Sequence, residues 1–338
     1  PRQFNGGIKY SVLGGANDAA VLSVDSPTVF CAGMEDIYAT IANFGSNQLD
    51  SVIVNWEFNG VVQPSINYTT LLDTLNSPNG NTVSLFLGTE SFTSGAPNTI
   101  KVWTSMPNGV ADTSNFNDTI VAVKAASLDG GVYTIDAGAT PSATVYNSFT
   151  DFANAVSTFG ICGNVTVNVA PLSGPYIEQL NLDGFNGASN RTLTINGNGE
   201  TISFASSNTN DRAVVNLQNA SFVSIDNLTI NSIGGTYGYG VFLNNSNDIA
   251  ITNSTILADT TSTSANYTAV MLSGSMTSAF TGTGFDNFTF TGNTVIGGYY
   301  GLNLYGLFAT PSQNTIVENN NFRDWYFYGV RLYYTDGM

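Results

Sequence analysis

Hydrophobic positions along the chain follow two rhythms that change near residue 125. Between residues 18 and 124 short runs recur, "AAVLSV", "DIYATIAN", "SVIVNWEF", "TVSLFLG", "NTIKVWT" and "DTIVAV", each with apolar residues two apart. Gly, Pro, Asn or Asp bounds every run, so each reads as a half-buried strand. About seven strands in about 105 residues predict an immunoglobulin-like β-sandwich over 18–124, with Trp56 and Trp103 packed inside, or Trp56 at an edge. Residues 1–17 read as a linker or the end of a preceding module. The small residues and Gly pair around "KAASLDGG" make 125–133 a linker.

Beyond it one amphipathic helix stands out. In "SFTDFANAVSTFG", residues 148–160, Phe149, Phe152, Ala153, Val156 and Phe159 share a face, and Ser148 three residues before Asp151 forms a capping box. A single helix ahead of a long β region is expected to cap an open hydrophobic end.

From about residue 164 the pattern repeats. One column holds Val215-x-Leu217, Val241-x-Leu243, Val270-x-Leu272, Leu302-x-Leu304 and Val330-x-Leu332, at intervals of 26, 29, 32 and 28 residues. A second holds Ile225, Ile251, Phe290 and Val317. Two residues after each come Asn227, Asn253, Gly292 and Asn319, and five residues after come Ile230, Ile256, Val295 and Phe322. Excess length falls in the inserts "ADTTSTSANY" and "SGSMTSAFTGTG". Constant strand positions with variable loops predict a right-handed parallel β-helix over 134–338, its coils stacked about 4.8 Å apart. The inward Ile, Val, Leu and Phe make a continuous core. The corner asparagines are expected to stack as an inward amide ladder. The fold class expected is therefore all-β: a sandwich followed by a parallel β-helix with an N-terminal capping helix.

Composition narrows the function. Acids outnumber bases 24 to 8 in 338 residues, histidine is absent, and the net charge is −16. Such a surface cannot neutralise a row of phosphates, which argues against nucleic acid and anionic membranes as partners. No apolar run approaches the roughly 20 residues of a membrane span. The chain begins at Pro1 and breaks off in "YGVRLYYTDGM", a strand-like run, so it is expected to be a processed or partial piece, truncated at the C-terminal end. Cys31 and Cys162 match no metal or redox spacing; they are either free buried thiols or one disulfide.

The stretch "PTVFCAGMEDIYATIANFGSNQLDSVIVNWEFNGV" with "IKVWTSMPNGVADTSNFNDT" resembles the immunoglobulin-like or CARDB-like modules of large secreted surface proteins of the Bacteroidota. The following "GGVYTID", "FTDFANAVSTFGICGNVTVNVAPLSGPYIEQLNL" and "NGASNRTLTI" resemble the start of the right-handed β-helix that follows such modules. The resemblance covers most of residues 20–200. It implies export by a type IX route, a location at the cell surface or outside the cell, and a part in adhesion, gliding or polysaccharide handling. Partners implied are carbohydrate, extracellular protein and the secretion machinery. The C-terminal sorting domain of that family has no counterpart here. Asp-Ser/Thr-apolar triplets resembling the O-glycosylation motif of the same phylum mark Ser51, Thr74, Thr119 and Thr260.

Many β-helices cleave polysaccharides, so a lyase or glycoside hydrolase is the alternative to a non-catalytic adhesin or fibre component. Hydrolysis needs two carboxyl groups facing each other across the bond, whereas the acids of 134–338 are scattered singly. Only the last rungs bring Glu318 and Asp324 near Arg331 in sequence; solvated or turn-binding groups explain the same residues. Aromatics argue better for binding. Tyr239, Tyr300 and Tyr328 share a repeat position, and with Tyr299 and Trp325 they could offer flat faces to sugar rings. Packing against loops or a further domain is the plainer explanation of any single one of them. No cofactor is required. In "DTSNFNDT", Asp112, Asn115, Asn117 and Asp118 are oxygen donors close enough together for Ca²⁺, although a tight turn accounts for them and the spacing is not that of an EF-hand loop.

Overall fold

Residues 15–336, apart from 76 and 113, are described by a computed structural model, and the chain divides between Ala126 and Ser127 into two units. Most of the expected leading segment, 1–17, lies outside the described residues.

In the first unit, strands Ala19–Ser26, Gly33–Asn43 and Thr82–Phe92 form one antiparallel sheet. Val61–Val62, Val52–Phe58, Pro97–Ser105 and Thr119–Ala125 form another, to which Ile66–Tyr68 adds. Period-two alternation turns Val52, Val54, Trp56 and Phe58 inward to share one core with Ile37, Ala39 and Ile41 of the opposite sheet. The Trp56 ring fills the space at Gly88 so closely that a Cβ there would lie 2.6 Å from it. Trp103 does not join this core. It follows Val102, which takes the inward place, so it turns outward, half-buried, with Lys101 Nζ 5.0 Å from its ring. Cys31 and Cys162 are both disulfide-bonded, which removes the free-thiol alternative.

The second unit is a parallel β-solenoid. Its three main sheets hold eight, six and six strands, every neighbouring pair parallel, and most coils contribute one strand to each; Ser312–Gln313 and Thr335–Asp336 pair separately. Val215, Val241, Val270, Leu302 and Val330 pair successively, and Leu217, Leu243, Leu272, Leu304 and Leu332 run alongside. Ile225, Ile251, Phe290 and Val317 form a second column, and Ile230, Ile256, Val295 and Phe322 a third. Most of these side chains are fully buried in one core. Each contributes about 1.5–3 kcal/mol of burial, which offsets the entropy of ordering so long a chain. The solenoid starts earlier than the sequence suggests. Gly131–Ile135, which begins inside the expected linker, already pairs with Val165–Val169.

The helix spans Phe149–Phe159, with Ser148 Oγ accepting from Asp151 N at 2.9 Å. Its buried Phe149, Phe152, Ala153 and Val156 join the solenoid core beside Ile135, Val167 and Leu180. Glu178, from a later strand region, accepts from the N–H groups of Phe149 and Thr150 at 3.1 and 2.8 Å. A carboxylate there satisfies orphan donors and opposes the helix dipole.

The corners correct one expectation. Asn227, Asn253 and Asn319 have φ of 50, 49 and 56°, and Gly292 in the same column 69°. Asparagine is there because the chain must enter the left-handed region, where most L-residues cost about 1–2 kcal/mol. Their side chains are exposed, and Asn253 donates to Asp226 rather than to Asn227. The inward ladder lies one residue further on. Leu228 N donates to Ser254 Oγ at 3.1 Å, Ser254 N to Asn293 Oδ1 at 2.9 Å, and Asn293 N to Asn320 Oδ1 at 2.8 Å. Each buried polar side chain thus satisfies the turn N–H of the coil before it. Amide ladders do form at other corners, from Asp183 through Asn219 to Asn245, and from Asp248 through Asn287 to Asn314.

This placement predicts opposite sensitivities at adjacent positions. Asn293→Ala should destabilise the chain by about 2–3 kcal/mol, because it orphans the buried Ser254 N–H and the Ile251 carbonyl. Asn253→Gly should cost a few tenths. Denaturant midpoints of the two variants check the order.

Candidate functional site

Tyr239 and Tyr300, expected as ligand platforms, are 1% and 2% exposed and cannot offer a face to a sugar. The register explains this: Tyr239 pairs with Thr268, Thr268 with Tyr300, and Tyr300 with Tyr328, so each ring is covered by the coils stacked on it. Burial pushes both hydroxyls up from the ordinary tyrosine range, against the pull of Arg212 on Tyr239 and of Arg331 on Tyr300. Tyr328 differs. Its ring stacks on Tyr300 at 6.2 Å with planes 6° apart, yet it is 46% exposed.

It ends a run of four exposed aromatics, Trp325, Tyr326, Phe327 and Tyr328, that follows strand Asn321–Arg323 and runs into the first residue of strand Tyr328–Tyr333. The turn begins at Asp324, whose φ is 60°. Tyr326 N and Phe327 N donate to the Gly298 and Tyr299 carbonyls, both at 2.9 Å, fixing the loop to the preceding coil. Half-buried Tyr299 carries two of the rings, Tyr326 at 5.6 Å and Phe327 at 5.2 Å. The aromatics are therefore exposed on one side and held on the other.

Glu318, Asp324 and Arg331 stand on different elements. Glu318 lies on a first-sheet strand and Asp324 in the turn, both exposed, while Arg331 on the third sheet is 8% exposed. Arg331 Nη1 donates to Asn303 Oδ1 at 2.7 Å and to the Ala279 carbonyl at 3.2 Å. Phe280 and Tyr333 lie 4.5 and 4.6 Å from its guanidinium, and Tyr300 and Tyr305 both 5.3 Å. Ring faces and neutral oxygens stabilise this cation without a carboxylate. Arg212 repeats the arrangement over Tyr237 and Tyr239, with bonds to Thr209, Tyr239 and Asn266. Lys101 and Glu57 form an ion pair at 3.8 Å.

The oxygen-rich loop of the sandwich gathers a partner the sequence did not reveal. Asp112 and Asp118 meet Asp18, one oxygen of each within 4.8 Å of the others. Asp112 accepts from Ala19 N and Ser114 N at 2.9 and 2.8 Å, and Asn117 Nδ2 donates to Asp18 Oδ1 at 2.9 Å. Asn115 is exposed, and its amide nitrogen faces the Asp112 carbonyl and Asp118 Oδ2 at 3.0 and 3.2 Å, so it acts there as a donor. Burial, then the carboxylates of Asp112 and Asp18, push the Asp118 carboxyl up to about 6. Asp18 lies more than ninety residues from its partners, and only the pairing of the first strand region with the last loop brings them together.

The hydroxyl positions marked by Asp-Ser/Thr triplets divide. Thr119 and Thr260 are exposed; Ser51 and Thr74 are half-buried. Asp73 is held well below the usual carboxylate range, at about 2, by hydrogen bonds from Ser77, from the Thr74 N–H, and from Gln48 and Asn79.

No family model and no curated protein matches this chain. Among solved structures, it is similar to the CARDB domain of a Pyrococcus furiosus protein crystallised in complex with di-metal ions. That likeness has 15% identity and a TM-score of 0.27, and covers 33% of this chain and 94% of that one. It is too slight to locate a site. No helix among the described residues is long and apolar enough to cross a membrane.

The Arg331 geometry predicts a structural rather than a chemical role. Arg331→Met should lower stability by about 1–3 kcal/mol, since Asn303 Oδ1 loses its donor and four rings lose their cation. Arg331→Lys should fall between, keeping the charge without the planar stacking. Chemical denaturation of the three proteins checks the ranking.

Proposed function

We propose that the chain is part of an exported, non-catalytic cell-surface protein: an immunoglobulin-like spacer followed by a β-helix that binds carbohydrate through its exposed aromatic loop. The run from Trp325 to Tyr328 carries this reading. Exposed aromatics usually lose rotamer freedom on binding, but stacking on Tyr299 and Tyr300 already immobilises three of these. Little ordering cost then remains when a sugar ring lies against them. Tyrosine hydroxyls at the rim supply hydrogen bonds to sugar hydroxyls.

The charge of the chain selects among glycans. At a net −16 it repels uronates and sulfated chains, so a neutral polysaccharide fits better. The resemblance to Bacteroidota surface proteins supports export by the type IX route and a part in adhesion or an extracellular fibre. A polysaccharide-cleaving enzyme is the competing reading.

Affinity electrophoresis against neutral and acidic polysaccharides tests the proposal. Retardation by a neutral glycan should weaken about tenfold in Trp325→Ala and in Tyr328→Ala, about 1.4 kcal/mol each, and be unchanged in Leu172→Ala, which alters an exposed residue in an early coil. Equal binding by all variants, or none by the native chain, sinks the aromatic-loop reading. New reducing ends or unsaturated products in the same incubations would overturn its non-catalytic part.

A further inference from the structure

The sandwich contains a set of acceptors whose charges and hydrogen bonds do not close. Five buried side-chain oxygens lack a partner among the described residues, and three of them, Asp18 Oδ2, Asn117 Oδ1 and Asp118 Oδ1, belong to one small region. Asp18 is 0% exposed. A buried carboxylate oxygen with neither donor nor counter-ion is among the costliest groups a fold can hold. Here Asp112 and Asp118 each place a carboxylate oxygen within 4.8 Å of one of the Asp18 oxygens. The donors present, Asn117 Nδ2, Ala19 N, Ser114 N and the Asn115 amide, leave those three oxygens unused.

We propose that Asp18, Asp112 and Asp118, with the amide oxygen of Asn117, bind one Ca²⁺ ion. It would fasten the start of strand Ala19–Ser26 to the loop leading into Thr119–Ala125. The inference is independent of the carbohydrate reading, which concerns the other unit. Every donor is a hard oxygen. The chain has no histidine and its two cysteines are disulfide-bonded, so softer metals find no ligand. Oxygens on opposite sides of a Ca²⁺ ion, each at about 2.4 Å, lie about 4.8 Å apart. Three carboxylate oxygens within 4.8 Å of one another fall inside that span, and Ca²⁺ accepts several carboxylates in a flexible shell, whereas Mg²⁺ demands near-octahedral geometry and sheds its waters reluctantly. Water completes the roughly six to eight ligands Ca²⁺ takes.

The test uses the full chain at neutral pH. Isothermal titration should find one Ca²⁺ per chain, and the Tm in Ca²⁺ about a hundredfold above its Kd should exceed that in chelator by on the order of 10 °C. Asp118→Asn should weaken binding at least tenfold while remaining as stable as the native chain in chelator, because it removes one of three repelling charges. Asp18→Asn should abolish the Ca²⁺ response; if it fails to fold, Asp112→Asn serves in its place. No heat and no Tm shift with Ca²⁺ on the native chain overturns the proposal. So does a response that survives these substitutions, or a larger response to Mg²⁺ than to Ca²⁺.

Discussion

Parallel stacking in register governs the larger unit of this protein. Each coil hydrogen-bonds to the next at corresponding positions, so a side chain meets the residue that occupies its own place one coil away. Apolar residues gain from this, since valine on valine and leucine on leucine extend a single core. Charges lose, because like groups about 4.8 Å apart repel. The constraint accounts for a chain with only 9% charged residues and for acids scattered singly along the coils.

The same rule shapes the polar positions that remain inside. Along the outward side of the third sheet, Asn181, Asn216, Phe242, Met271, Asn303 and Arg331 follow one another. One cation enters this column, and its neighbour is an amide that accepts from it. Neutral side chains can stack indefinitely by donating one way and accepting the other, as serine and asparagine do after the left-handed corner. A second arginine in the next coil would have no such arrangement.

The apolar columns were legible in the sequence because burial is periodic and each coil repeats the same demand; the observed pairs join the residues that spacing aligns. The helix was legible through its face and its cap. The corner was half legible. Its asparagines are visible, but the sequence does not distinguish a residue chosen for backbone conformation from one chosen for its amide, so the pattern points to a ladder one position early. Tyr239 and Tyr300 illustrate a different limit. Their repeat position was clear, yet whether a ring in a column faces solvent depends on the coils and inserts that cover it, and insert lengths vary. Trp103 departs from expectation for a simpler reason: the inward place beside it belongs to Val102.

Asp18 marks what periodicity cannot reach. The sandwich has no repeat, so its contacts join distant residues without any internal echo, and the group Asp18, Asp112 and Asp118 appears only when the fold closes. A stacked column shares each residue's demands with the next coil, so an unmatched charge there would recur or be selected against along the whole length. A sandwich end has no neighbour to inherit the cost, and three acids can meet at a single point. Where the solenoid leaves buried oxygens unmatched it does so singly, at Asn216 and Thr315, whereas the sandwich concentrates three in one place. Such a place needs an external partner, and a small hard cation meets that need with the fewest changes to the surrounding chain.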